Sequence, residues 1–431
     1  MEQYAEYKDS GIGWIGDIPI EWDVVKLKRL CRIKRGASPR PIDDPIFFDD
    51  DGERYWVRIS DVTNSQKYLI ECEQKLSKLG IENSVKVDEG QIFVSICASV
   101  GKPCISKVKA CIHDGFVLLQ DLPSDYVNYV YYIFELETPC HGLGKIGTQL
   151  NLNSETLGSI YITIHGNVRM VSCYLDRRTA EIDAIIADLQ NQAEMLELYK
   201  RELIVEAVTQ GINKTATRKH SGVDWIGEIP VEWTVLPLRG VAKDNAVKND
   251  GMKCNNLLSL SYGRIIQKDI DTNFGLLPAN FEGYQIVHEG YTVLRLTDLQ
   301  NDKRSLRTGY VGETGIITSA YTALVPSEDI YGRYFQYLLH AYDLKKIFYG
   351  LGGGVRQSLK YSDLRMLPVL IPPMPVQKAI VAYIEDKTDQ VNGLIADINR
   401  QIENLKKYRQ IVIHDAVTGK IKVTEGTDNG N

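Results

Sequence analysis

Residues 24–42 carry Lys26, Lys28, Arg29, Arg32, Lys34, Arg35 and Arg40 with no acid among them. A second basic group, Arg295 followed by Lys303, Arg304 and Arg307 in NDKRSLRTG (301–309), lies in the other half of the chain. A glycine loop, YGLGGGVRQSLKYSD (349–363), holds Arg356 and Gln357, and CHGLGKIGTQLNLNSE (140–155) repeats it in outline, aligning Gln149 with Gln357. Lysine and arginine neutralise phosphates, while arginine, glutamine and asparagine pair with base edges, so these loops have the chemistry of DNA reading. A solvated basic surface is the other reading of the same residues. The formal charge of −6 argues against a uniformly basic, nucleic-acid-coating protein but leaves room for a basic face.

Catalytic patterns are absent from the sequence. GLGKIG (142–147) formally matches a dinucleotide loop, but it follows a helical stretch and runs into asparagine-rich sequence rather than opening a helix. There is no phosphate loop of the GxxxxGK[ST] type, no HExxH helix, no GxSxG elbow and no NPPY- or NPPF-like adenine-methylating signature. The seven histidines do not cluster; the adjacent His113-Asp114 has the residue types of half of a general-base pair, and a structural role suits it better. The acidic run Asp43, Asp44, Asp49, Asp50, Asp51 and Glu53 lacks the register of a calcium loop and reads as a solvated face. The expectation is therefore a chain with no catalytic, metal or cofactor site.

What must position the basic loops is written twice. GIGWIGDIPIEWDVVKL (11–27) returns as GVDWIGEIPVEWTVLPL (222–238), identical at ten of seventeen positions. Residues 174–212 match 383–421 at a constant offset of 209, with fourteen of thirty-nine identical. The chain is a tandem duplication: opening phrase, variable body, helical stretch, then all three again. Tyr126, Tyr129 and Tyr132 reappear as Tyr331, Tyr334 and Tyr337. Two domains that differ in what they read would not share their readers, so the repeated phrases are mounting clamps in which Trp14 and Trp22, Trp225 and Trp233 bury apolar area. The bodies read as mixed α/β, with strands at 91–100, 115–120, 291–296 and 321–326 and helices at 74–80, 125–136 and 331–347.

In the repeated helices the apolar positions alternate steps of four and three: Ile182, Ile186, Leu189, Leu196 and Leu203 in the first, Val391, Ile395, Ile398, Ile402, Leu405 and Val412 in the second. This 3.5-residue period is a coiled-coil seam, interrupted in both by a cation, Lys200 and Arg409. Packing of each helix on its own body is the alternative. Pairing with each other buries both seams and gives a rod of about 50 Å that fixes the distance between two bodies. The second helix follows LPVLIPPMPVQKAI (367–380), whose four prolines call for an extended lead-in; the first lead-in, IYITIHGNVRM (160–170), has none.

The length of 431 residues allows two or three domains. No apolar run approaches membrane-spanning length, the start MEQYAEYKDS has no secretion pattern, and eight scattered cysteines without paired spacing suit a reducing cytoplasm.

The chain resembles the specificity subunit of type I restriction-modification systems. The resemblance is carried by WIGDIPIEW and WIGEIPVEW, by IPPMPVQKAIVAYIEDKTDQVNGLI (371–395) and by the helix ends LIVEAVTQGI (203–212) and VIHDAVTGKI (412–421). It implies a non-catalytic subunit of pseudo-two-fold design. Target-recognition domains at 1–170 and 215–380 would each read half of a bipartite asymmetric site in double-stranded DNA. Spacer helices at 171–214 and 381–424 would pair antiparallel, with a disordered tail at 425–431. It further implies two adenine-N6 methyltransferase subunits that bind S-adenosylmethionine and, where a restriction partner exists, two translocase-nuclease subunits using ATP and Mg. The segment EGYTVLRLTDLQNDKRSLRTGYVGETGIITSAY (289–321) resembles a recurrent recognition-domain segment, which makes Arg295, Lys303, Arg304 and Arg307 its candidate DNA contacts. A duplicated protein-binding scaffold without its own sequence reading is the alternative function.

Overall fold

Short runs of β-branched and aromatic residues form the strands of each body, and those flanked by apolar neighbours are covered on both faces. Ile92–Ser95 and Pro103–Ser106 are buried at every position. The computed structural model describes residues 2–97, 100–136, 138–140, 152–270, 280–299, 306–351 and 358–424. The chain divides into two units, Met1–Leu189 with Arg400–Asn431, and Gln190–Asn399.

The first unit contains a five-stranded sheet in the order Arg32–Arg35, Phe116–Gln120, Ile92–Ser95, Pro103–Ser106, Tyr68–Leu69. A four-stranded sheet runs Gln74–Leu76, Arg54–Val57, Ala110–Ile112, Val85–Val87. Val57, Phe93, Phe116 and Leu118 are in one core between them. The second unit has two four-stranded sheets. One runs Ala242–Asp244, Thr322–Pro326, Thr292–Leu294, Thr308–Tyr310, and the other Arg264–Lys268, Leu257–Ser261, Gly315–Ile317, Gln285–Val287. Both bodies are thus mixed α/β. The helix expected at 74–80 is instead an edge strand, Gln74–Leu76, and then a five-residue helix, Lys78–Glu82, which starts where the Ser77 side chain accepts from Gly80 N. Pairing with Arg54–Val57 captures the first three residues.

The tyrosine helices are Ser124–Glu135 and Gly332–Leu344. The two long helices, Val168–Gln210 and Met374–Val417, begin earlier than their sequence match. The second takes Pro375 into its first turn, where a missing N–H costs nothing, so the extended lead-in is the strand Pro368–Ile371 followed by Pro372 and Pro373. Each ends one or two residues before a left-handed glycine, Gly211 (φ 78°) or Gly419 (φ 72°). A Cβ on Gly419 would lie 2.4 Å from Pro19 and 3.1 Å from Trp22; one on Gly211 would lie 3.1 Å from Trp233. The repeated opening phrase therefore seats directly on a helix end. It continues into a strand, Asp23–Lys26 or Thr234–Pro237, that pairs with the strand leading into a long helix, Tyr161–Ile164 or Pro368–Ile371.

The four tryptophans do not share the anchoring role expected of them. Trp22 and Trp233 are buried, Trp14 is half-buried, and Trp225 is 43% exposed with only an edge contact to the Tyr342 ring. The second tryptophan of each phrase faces the helix end; Trp14 packs in the same cluster as Trp22, with its carbonyl 3.0 Å from His414 Nε2, while Trp225 stays at the surface.

In the first unit the strand leading into the first long helix reaches the end of the second, the Thr163 hydroxyl donating to Val417 O, and Asp183 on the first helix pairs with Arg409 on the second at 3.0 Å. In the second, Tyr334 bridges Val208 O and Leu370 O, and Lys200 Nζ donates to Asn392 at 2.9 Å. In each unit the segment leading into one long helix thus lies by the end of the other, the sense of an antiparallel pair. Adding the repeat offset to Asp183 and Lys200 gives Asn392 and Arg409, so the two interrupting cations make equivalent contacts. Ile182, Ile186, Leu203, Val391, Ile398, Ile402 and Val412 are buried; Leu189, Leu196, Ile395 and Leu405 are half-buried.

Candidate nucleic-acid interface

Each body brings a hairpin turn against the flank of its glycine loop. In the first, Ile92–Ser95 and Pro103–Ser106 pair antiparallel, and a Cβ on Gly101 in their turn would lie 3.1 Å from the Cys140 thiol, which immediately precedes the loop. In the second, Thr292–Leu294 pairs with Thr308–Tyr310 through a longer turn. Leu359 N donates to Leu296 O at 2.9 Å and Arg307 Nε to Tyr349 OH at 3.1 Å, joining that turn to both sides of the second glycine loop. In both bodies, then, described residues flanking the glycine loop lie against the hairpin turn, and the sequences differ.

The basic run of the first body separates into three places. Lys26 is half-buried with its ammonium 5.3 Å from the Tyr161 ring. Lys28, Arg32 and Lys34 are exposed and line an open groove of about 590 Å³ with Cys31, Gln120 and Ser154. Arg35 and Arg40 converge on Asp114: Arg35 Nε donates to its carbonyl at 3.1 Å and Arg40 pairs with its carboxylate at 3.4 Å. The Ser38 hydroxyl, 2.7 Å from the carboxylate, and after it Arg40 hold the Asp114 carboxyl below the usual range. Gly36 permits this loop to lie on the backbone of His113, whose carbonyl would be 2.0 Å from a Cβ there.

His113 is not half of a general base. Its Nδ1 accepts from Gly115 N at 2.9 Å and is 3.8 Å from Asp114, so the proton a carboxylate would orient is on the other nitrogen. Burial also lowers its pKa, favouring the neutral ring. Burial pushes the Cys31 thiol in the groove up to about 12, which removes it as a nucleophile. Asp44 and Asp49 of the acidic run accept from the backbone two residues on, at Ile46 N and Asp51 N. Among the described residues no group of three or more His, Cys, Asp or Glu could hold a metal ion.

Arg307 overturns its expected role as a DNA contact. It is fully buried, and its guanidinium donates to Arg295 O at 3.1 Å, Thr297 O at 2.8 Å and Asp298 O at 3.3 Å, while its own N–H donates to Asp343 at 2.8 Å. Arg295 is half-buried beside it. Gln149, Lys303, Arg304, Arg356 and Gln357, the GLGKIG loop and the tail 425–431 lie outside the described residues.

Sequence spacing passed over Lys86 and Gln120. Lys86 joins Lys34 and Gln120 along a second groove of about 480 Å³, and Gln120 is the strand partner of Arg32. The polar end of an otherwise apolar strand was the available signal for Gln120. On the long helices, Ile185 (49% exposed) and Leu394 (53%) are repeat counterparts, as are Tyr199 (53%) and Tyr408 (37%). Four large apolar side chains left in solvent at matching positions mark surface with a use beyond the seam.

The family described as the type I restriction modification DNA specificity domain matches residues 19–164 and 308–404, more than half of the chain. The type I restriction enzyme MjaIX specificity subunit of Methanocaldococcus jannaschii is 23% identical, covering 98% of each chain. The putative type I restriction enzyme MjaX specificity subunit of the same organism is 22% identical over 95% of this chain and 96% of its own. A solved chain from work on complex assembly and conformational transition of the type I R-M system superimposes with a TM-score of 0.63 at 15% identity, covering 94% of this chain and 99% of that one. At that identity the likeness speaks for the fold alone.

Proposed function

The chain belongs to the family of type I restriction-modification specificity subunits, and from that premise we propose that its two bodies read the two halves of a bipartite, asymmetric DNA site. It is a non-catalytic DNA-specificity subunit of a multisubunit complex. The hairpin turn and the glycine loop beside it form the recognition surface of each body, and the groove bearing Lys28, Arg32 and Lys34 holds phosphates beside that of the first. The paired helices set the unread gap. The observation that carries the reading is that in both units the hairpin turn lies against the flank of the glycine loop on a repeated scaffold while the sequences differ, as two readers of different half-sites require.

Two copies of an adenine-N6 methyltransferase subunit would dock on the helices, with Ile185 and Leu394, Tyr199 and Tyr408 supplying equivalent apolar contacts to each copy. S-adenosylmethionine would enter with those subunits, and ATP and Mg with two restriction subunits where such subunits exist. Eight free thiols suit work in a reducing cytoplasm.

Single-molecule mapping of adenine methylation by the assembled complex tests the reading. Two half-sites at one fixed gap are expected; a contiguous site, or methylation without sequence preference, overturns it.

A further inference from the structure

The long helices present a carboxylate at the same repeat position, Asp176 in the first and Glu385 in the second, and each body grips it with a cation backed by tyrosine. In the first unit, Lys67 precedes the strand Tyr68–Leu69 and pairs with Asp176. Its ammonium lies 4.6 Å from the Tyr132 ring, 5.1 Å from Tyr131 and 5.5 Å from Tyr68. The Tyr132 hydroxyl donates to the same carboxylate at 2.5 Å. In the second unit, Arg333 stands in the first turn of the tyrosine helix, with Nε 3.0 Å from Glu385 and its guanidinium 4.9 Å from the rings of Tyr337 and Tyr310.

Tyr132 and Tyr337 are repeat counterparts, as are the two carboxylates, but the cations are not: the position matching Arg333 is Asn128. The two bodies reach one arrangement, carboxylate, cation and ring, from different points in the chain. A shared ancestor would have supplied both cations at one position, so the arrangement answers a need of each body separately. A cation held between a ring face and a carboxylate resists rocking of the body about its helix, which an apolar contact alone permits.

We infer that Lys67 and Arg333 are latches that fix how each recognition body is carried on its spacer helix and thereby restrict the gap accepted between half-sites. This rests on the bipartite reading above. Changing the gap by one base pair shifts a half-site by about 3.4 Å and turns it by roughly a tenth of a helical turn, a displacement that a latched joint refuses and a loosened one follows. Lys67 and Arg333 are positioning residues; neither needs to touch DNA.

The test uses the full complex and duplexes carrying both half-sites with the native gap or one base pair more or less. The variants are Lys67→Met with Arg333→Met and, from the helix side, Asp176→Asn with Glu385→Gln, whose side chains are 39% and 46% exposed and leave no core cavity. Either pair is expected to raise binding at the wrong gaps relative to the native gap by about tenfold, with each half-site sequence unchanged. Lys67→Arg with Arg333→Lys keeps both cations and is expected to keep the native ratio. An unchanged ratio in both neutralised pairs, whether or not overall affinity falls, overturns the latch. If the unaltered protein itself shows no fixed gap, the bipartite reading fails and takes the latch with it; a strict gap that survives neutralisation sinks the latch alone.

Discussion

The Tyr129 hydroxyl donates to the Val417 carbonyl at 2.9 Å, joining residues 288 apart in the chain. Its counterpart Tyr334 donates to Val208 O at 3.3 Å. Each body is thus closed by the end of the long helix from the other repeat. Leu203, Ile204 and Val208 accordingly belong to the core that holds Trp233 and Tyr334. Tyr129→Phe leaves His165 Nε2 without its partner at 3.2 Å, although Thr163 still donates to Val417. The expected loss is about 1–3 kcal/mol, read as a lower urea midpoint at unchanged slope, with DNA preference intact.

His165 makes that joint acid-sensitive. It stacks on Trp22 with centroids 3.6 Å apart, and its Nδ1 accepts from Asn167 N, so protonation would set two donors against each other. Burial lowers its pKa to about 4. Between an ordinary histidine value near 6.5 and that folded value, the unfolded chain binds a proton the folded chain refuses. Stability therefore falls as pH drops through this window and is indifferent to it above. His340, lowered to about 4 by burial and then by Arg201, acts in the same sense in the second unit. His165→Phe keeps the stack and should remove about 2 kcal/mol of the difference between pH 7 and pH 5. Equal pH dependence in denaturant titrations of both proteins would count against it.

Lys28, Arg32 and Lys34 line one groove in which three cations outnumber the single carboxylate, Glu155. Replacing them singly by glutamine should weaken DNA binding alike on specific and random duplexes. Each should lower the slope of log affinity against log salt by about 0.9. A variant that changes base preference instead would move its residue from phosphate contact to reading.

Much of this architecture was legible because duplication leaves arithmetic behind. The 209-residue offset and the seam through Ile182 and Val391 identified both long helices, and alternating apolar runs located Ile92–Ser95 and Phe116–Gln120. The fate of particular cations was not legible. Nothing in the composition around Arg307 marks it out, yet three carbonyls from a turn that closes only in the fold draw it inside. Lys67 and Arg333 escaped because comparing repeats finds equivalent positions, and their equivalence is spatial. Trp225 and Trp233 likewise look interchangeable in the phrase WIGEIPVEW, while only Trp233 is buried against the helix end.

That distinction predicts unequal costs. Trp22→Ala and Trp233→Ala, each 2% exposed, should destabilise their own unit by about 3–5 kcal/mol. Trp225→Ala should cost about 1 kcal/mol or less, since it gives up one ring edge at the surface. Thermal unfolding of the three variants ranks them, and a Trp225 variant as unstable as Trp233→Ala would restore the shared anchoring role.

Arg307 should govern reading of the second half-site although it is buried away from DNA. Its guanidinium spans three carbonyls and the Tyr349 hydroxyl, holding a turn in which Asp298 takes a left-handed φ of 57°. Arg307→Met keeps the apolar stem and deletes every guanidinium donor, at a stability cost of about 2–3 kcal/mol. Arg307→Lys restores the charge, but a single ammonium cannot span that fork, so recovery should be partial. With the turn released, the hairpin and glycine loop lose their common anchor. Competition between duplexes altered in one half-site at a time should show discrimination at the second half-site falling about tenfold while the first is unchanged. Equal loss at both half-sites would mean that the substitution acts through global stability; full discrimination at the second would mean that the shape of this turn does not matter to reading.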